Sequence, residues 1–141
     1  MISTELLFLI NINKLQSVIA RKFDSLSVHG LGFNDFVILY ILNSSSESRM
    51  RRIDLAEKTG LTASGITRLL NPLEKTGLVG RETNERDARV SYVVITSSGK
   101  KIFEEAKISA EHIAKEILSS KKGKSLKMIS ELLFDLGGNI Q

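Results

Sequence analysis

The chain has no cysteine, one proline and two histidines, and each scarcity removes a class of function. Without cysteine there is no disulfide, thiolate zinc site, iron–sulfur cluster, cysteine nucleophile or thiol redox switch. His29 and His112 are too few and too far apart for a histidine-rich metal site. No Ser/His/Asp set, paired carboxylates, phosphate-cradling glycine loop or metal-spaced ligand cluster can be placed, so neither an enzyme nor a cofactor or metal is expected. The longest apolar run near the N-terminus, Leu6-Leu7-Phe8-Leu9-Ile10, stops at Asn11. That is too short for a signal peptide core and far short of the ~20 residues that span a bilayer. No membrane association is expected, and the cytoplasm is the expected location. The lone proline, Pro72, and the lack of any Pro/Gly/Ser-rich linker or internal repeat predict a single domain over residues 1–141.

What is present is a modest positive charge, +4, on a chain with 42% hydrophobic and 26% charged residues. The sum fits a polyanionic partner but does not identify one; the placement of the charge is more informative. Seven of the eight arginines (Arg49, Arg51, Arg52, Arg68, Arg81, Arg86, Arg89) fall between residues 49 and 89, where only two of the twelve lysines, Lys58 and Lys75, are found. Arginine has the planar fork that matches phosphates and base edges, whereas lysine is a generic solubilising charge.

Apolar periodicity predicts helices over about 4–24 and 34–42, the second capped by Asn34, followed by a polar loop, Asn43–Ser48. Two short helices follow, 53–59 stopped by Gly60 and 62–75 stopped by Gly77. Residues 78–81 and the β-branched run 90–95 read as two strands around a polar tip, a hairpin. Thr96 can cap a long helix over 97–119, Lys121–Lys124 break it, and a last helix covers 125–136. The fold class is mainly α with a small β-hairpin.

Residues 53–75 have the spacing of a helix-turn-helix: small Ala56, a turn glycine at Gly60, and apolar Leu55, Leu61, Ile66 and Leu69. In the second of these helices Ile66, Leu69, Leu70 and Leu73 point inward, leaving Ser64, Thr67, Arg68 and Asn71 on the opposite face beside Gly65. Small polar groups, one asparagine and one arginine suit a major groove, and Gly65 would let backbone approach closely. Thr62, at the helix start, puts backbone N–H groups where a phosphate can bind. Pro72 lies inside this helix and predicts a bend or local opening, because it cannot donate to the carbonyl of Arg68. At the hairpin tip Arg86 and Arg89 suit the negative potential of a minor groove, while Asp87 can pair with Arg89 and hold the tip in shape. The plainer alternatives are a solvated helix face and a solvated charge cluster.

These residues resemble the multiple-antibiotic-resistance-regulator (MarR) family of winged helix-turn-helix transcription factors. The matching text is Leu55-Ala56, Gly60-Leu61-Thr62, Thr67-Arg68, Leu73-Glu74-Lys75, Gly77-Leu78-Val79, Arg81, Asp87, Arg89, Ile95-Thr96 and Gly99. The resemblance implies a winged helix-turn-helix DNA-binding lobe over 46–96, flanked by a helical dimerisation region made of 1–45 and 97–141. It implies a homodimer on double-stranded DNA, with helix 62–75 in the major groove and the wing, 81–92, in the minor groove. Asp87 and Arg89 occupy the family's wing-motif positions. The resemblance further implies a repressor released by a small anionic or aromatic effector. The missing cysteine rules out switching by thiol oxidation. On this view the surplus apolar positions of the first and last helices cover a partner, while Phe33, Phe36, Tyr40 and Phe103 are core and His29 lies at the surface. The alternative is a winged-helix protein–protein interaction module without a specific DNA target, and the arginine segregation and polar helix face count against it.

Overall fold

The computed structural model describes residues 1–118 and 123–140. Helix α1 (Thr4–Lys22) starts where the Ser3 hydroxyl accepts the Leu6 N–H at 3.1 Å, and it ends on Arg21 and Lys22, which complement the helix dipole. It buries none of its residues. A 3-10 segment, Asp24–His29, is closed by Gly30 in the left-handed region and leads into α2 (Phe33–Ser44). That helix starts before the expected cap Asn34: its N-cap is Gly32, whose N–H donates to the Asp35 carboxylate at 2.8 Å. A carboxylate at the third helical position satisfies the N-cap amide, which no side chain at Gly32 could do.

After a short 3-10 turn, Ser46–Ser48, the chain forms strand β1 (Arg49–Arg51), α3 (Arg52–Thr59) and α4 (Ala63–Lys75). Then come β2 (Val79–Thr83), β3 (Ser91–Ile95), α5 (Ser97–Ile117) and α6 (Gly123–Asp135). The hairpin of β2 and β3 is joined by β1, giving an antiparallel sheet in the order β1-β3-β2 with Met50 and Arg81 on either side of Val93. Strand β1 is the element that sequence pattern does not announce, since three residues hold it only by pairing with a strand forty residues later. Of the break expected at Lys121–Lys124, Lys121 and Lys122 lie outside the described residues; Gly123 and Lys124 already belong to α6. Helix α4 continues through Pro72 to Lys75. Pro72 is exposed, so the Arg68 carbonyl that loses its donor can be met by water.

One buried cluster holds these parts together. Ile38, Leu39 and Leu42 of α2 meet Leu55 of α3, Ile66, Leu70 and Leu73 of α4, Val93 and Ile95 of β3, and Phe103 of α5. Phe36 and Tyr40 pack on Phe103, with the Phe36 and Phe103 rings stacked at 5.2 Å, and Phe33 stacks on Phe23 at 4.2 Å. Of the aromatics expected in the core, Phe103 is buried and Phe33 and Phe36 pack against the core half-buried, whereas Tyr40 is exposed and touches the core through the Phe103 ring. His29 is only half-buried, its Nε2 3.4 Å from the Ser109 hydroxyl. The helix-turn-helix and sheet are joined to α5 by Thr96, whose hydroxyl caps the Gly99 N–H at 3.0 Å and donates to the Gly77 carbonyl at 2.6 Å. Among the described residues no helix is long and apolar enough to cross a membrane.

Candidate nucleic-acid interface

The turn between α3 and α4 depends on Gly60, at φ +74, a conformation other residues adopt only under strain. The Leu61 N–H returns to the Ala56 carbonyl at 3.1 Å, and the Thr59 hydroxyl donates to the Leu55 carbonyl at 2.9 Å, so the turn closes on itself. Leu55 and Ala56 are buried beneath it. Helix α4 then divides as its apolar spacing predicts. Ile66, Leu70 and Leu73 are buried and Leu69 half-buried, whereas Ser64, Arg68 and Asn71 are exposed on the other side.

Thr62, Gly65 and Thr67 turn out to have work inside the protein. The Thr62 hydroxyl accepts the Gly65 N–H at 3.0 Å and lies 3.2 Å from the Ser64 hydroxyl. It caps the helix by satisfying the Gly65 N–H, and the N–H groups of Ala63 and Ser64, before it in the first turn, have no intrahelical partner. A Cβ at Gly65 would stand 3.1 Å from that hydroxyl, so the glycine keeps the cap unobstructed. Thr67 is half-buried; its hydroxyl donates to the Ala63 carbonyl at 3.1 Å and accepts from Arg52 Nη1 at 2.7 Å. Arg52 thereby ties the start of α3 to the middle of α4 across fifteen residues, a contact that no local pattern could reveal.

The wing tip is a folded turn. The Asn84 side-chain oxygen accepts the N–H groups of Arg86, at 2.8 Å, and Asp87, at 3.2 Å, while its amide donates to the Tyr92 hydroxyl at 3.0 Å. Asp87 Oδ1 accepts both the Arg89 N–H, at 3.0 Å, and Arg89 Nε, at 3.1 Å, and Oδ2 accepts Nη2 at 3.2 Å. Those bonds hold the Asp87 carboxyl below its ordinary value, the Arg89 side chain contributing most and its backbone N–H next. Asp87 therefore lies where it orders the tip, and the Arg89 side chain stays 91% exposed. Asn84 and Tyr92 were not expected to take part. A turn-favouring asparagine two residues before Arg86 was the available signal for Asn84; Tyr92 had none.

The arginines differ in what they do. Arg51 pairs with Asp54 at 2.9 Å and Arg81 with Glu74 at 2.6 Å, both at the surface. Arg49 pairs with Glu47 and Glu82, and Arg89 with Asp87. Arg52 serves Thr67. Among the described residues, the guanidinium groups of Arg68 on α4 and Arg86 at the wing tip alone of these seven have no acidic or hydrogen-bonding partner, and both are exposed.

Comparison with known proteins agrees with this geometry. Residues 22–106 match the family described as transcriptional regulator SarA/Rot. The HTH-type transcriptional regulator YdgJ of Bacillus subtilis (strain 168) is 26% identical over 138 residues, 98% of this chain and 82% of YdgJ. Among solved structures, the MarR family regulator Sco3205 of Streptomyces coelicolor, in complex with DNA, superposes with a TM-score of 0.79 at 20% identity, covering 96% of this chain and 89% of Sco3205. CouR from Rhodococcus jostii RHA1, bound to p-coumaroyl-CoA, superposes with a TM-score of 0.78 at 19% identity, over 89% and 87% of the two chains. With the fold of MarR family regulators matching nearly its whole length and the family match covering more than half, the chain belongs to the SarA/Rot family of DNA-binding transcriptional regulators.

Proposed function

We propose that the protein is a homodimeric repressor of a palindromic operator, with α4 in the major groove, the wing tip in the minor groove, and release by a small anionic or aromatic effector. One observation carries the DNA reading: the two partnerless guanidinium groups, Arg68 and Arg86, stand on the two elements that would enter the grooves. Ser64 and Asn71 flank Arg68 on the same exposed face, and the capped first turn of α4 suits a backbone phosphate. Thr62, Gly65 and Thr67 act here by shaping that face. Arg89, tethered yet exposed, joins Arg86 at the tip.

The dimer is supported by apolar surface that the single chain leaves uncovered. Leu6, Leu7, Phe8, Leu9, Ile10 and Leu15 of α1 are exposed, as are Leu126, Ile129, Leu132, Leu133 and Phe134 of α6. An apolar contiguous surface of this kind marks an interface. Twofold symmetry then calls for half-sites about one helical turn, ~10 bp, apart or a little more. The effector is supported by a cleft of about 210 Å³ whose aromatic lining, Phe23, Phe33 and Phe36, suits an aromatic ring; Lys107 and Glu111 both line it, so its charge is balanced and the aromatic class is favoured over the anionic one.

Selection of bound duplexes from a random library tests the reading. A palindromic consensus is expected, bound with an affinity that falls steeply with salt as phosphate contacts release counterions. Arg68→Ala should cost ~1–3 kcal/mol and relax one base step, whereas Arg89→Ala should weaken binding with little change in the preferred sequence. Equal affinity of the intact protein for selected and random duplexes would overturn it.

A further inference from the structure

We propose that Arg49, on β1, is a positioning residue for the wing, fixing the tip through Tyr92 and Asn84 without itself touching DNA. Its guanidinium is engaged on its edges and on one face. Nη2 is 2.6 Å from Glu47 Oε2, Nη1 pairs with Glu82 on β2, and Cζ lies 4.3 Å from the centre of the Tyr92 ring on β3. A cation over an aromatic face is held by the ring quadrupole, and two carboxylates fix its rotation. The Arg49 side chain is 27% exposed, well below the 91% of Arg89.

From that anchor a chain of contacts runs to the tip. The Tyr92 hydroxyl receives the Asn84 amide, and the Asn84 oxygen in turn holds the N–H groups of Arg86 and Asp87. Asp87 then orients Arg89. Glu82 and Tyr92 face each other across the β2–β3 ladder, so Arg49 grips both strands at one rung of the hairpin. Direct phosphate contact by Arg49 is disfavoured by charge: one arginine between two glutamates gives a local sum of −1, which repels a phosphate. Its other carboxylate, Glu47, belongs to the turn after α2, where Glu47 and Ser48 are both in the left-handed region at φ 57 and 56. Wing orientation is thereby linked to the conformation of that turn.

The inference rests on the proposed contact between the wing and DNA, and a thermodynamic cycle separates the two. The full chain, the Arg49→Gln variant, the Arg86→Ala/Arg89→Ala variant and the combined variant are titrated by anisotropy against a selected duplex, with thermal unfolding recorded for each. Arg49→Gln is expected to weaken binding about tenfold, within the span that coupled residues show in such cycles, and to have no further effect once Arg86 and Arg89 are removed. Tyr92→Phe, which keeps the ring but drops the hydroxyl held by Asn84, should lose a smaller factor and likewise have no effect in the wing-deficient background. It carries the same cycle if Arg49→Gln does not fold. Losses that multiply independently, or Arg49→Gln and Tyr92→Phe binding like the intact protein, overturn the role of Arg49 while leaving the wing contact standing. Full affinity in the Arg86→Ala/Arg89→Ala variant overturns the wing contact and the positioning role with it.

Discussion

Between Arg49 and Ile95 the large apolar side chains are mostly inside; in α1 and α6 the same residue types are mostly outside. Leu55 and Ile66 are fully buried and Leu70 nearly so, whereas Leu7 and Leu9 of α1 are 47% and 55% exposed. Both regions are rich in leucine and isoleucine; what separates the fate of those side chains is whether the chain itself covers them. The helix-turn-helix and sheet close on α2 and α5 of their own chain, so their core is complete. Phe8 and Leu9 of α1 line one groove with Leu132 of α6 and Leu136 just beyond it, and the rest of the apolar surface of both helices is open. At ~25 cal/mol per Å² that surface is a strong drive toward association. A helix-turn-helix whose core is completed within the chain, beside helices whose apolar surface is open, is the arrangement the proposed dimer calls for.

The sharpest way to break the comparison is to make the scaffold polar. Leu7→Asp with Ile129→Asp, both on the open apolar surface, should yield a monomer in analytical ultracentrifugation while leaving the helix-turn-helix core untouched. Binding to a selected palindrome should fall toward the nonspecific range, a loss on the order of 1,000-fold. A variant that stays dimeric would place the interface elsewhere. A smaller effect, confined to the lobe's attachment, is expected at Gly99. A Cβ there would overlap the Leu78 carbonyl oxygen and stand 2.7 Å from Ile95 Cγ1, so Gly99→Ala must shift the start of α5 against β3. Overpacking against backbone should cost about 3 kcal/mol, measurable in urea, with oligomeric state unchanged. An unaltered unfolding midpoint would mean that α5 and the sheet slide past each other freely.

Local chemistry was legible, and long-range chemistry was not. The stops at Gly60 and Gly77, both with φ near +75, and the caps at Thr62 and Thr96 could be read directly, because each depends on a few consecutive residues. So could the inward stripe of α4 and the pairing of Asp87 with Arg89. Strand β1, the Arg52–Thr67 bridge and the Arg49–Tyr92–Asn84 chain could not, since their partners are eight to forty-five residues apart and mean nothing until the hairpin is folded. The arginine cluster was informative and also misleading. Its density coincides with the helix-turn-helix and wing, yet four of the seven are bound by carboxylates and Arg52 by Thr67, and only with those contacts subtracted do Arg68 and Arg86 stand out as unengaged.

The smallest effects should come from two carboxylates, one in the wing and one at the start of α2, which respond to acid with opposite sign. Asp87, in the wing, titrates below its ordinary value of 3.8 because Arg89 holds the ionised form. A folded value below the unfolded one means a stabilising contribution that is present above about pH 4 and lost as pH falls further. Asp35, at the start of α2, titrates above 3.8 because partial burial opposes its charge more than the Gly32 N–H favours it. Folded Asp35 therefore holds its proton more tightly than the unfolded chain does, and its ionisation costs stability as pH rises through that raised value. At pH 7 Asp87→Asn should melt below the intact protein and Asp35→Asn above it, each by a few °C at most. Both gaps should close as the pH is lowered toward 4 and beyond, from opposite sides, and neither should vary between pH 6 and 8. A gap of the same sign for both substitutions would show that burial does not govern Asp35, and that the Gly32 amide and the helix dipole outweigh it.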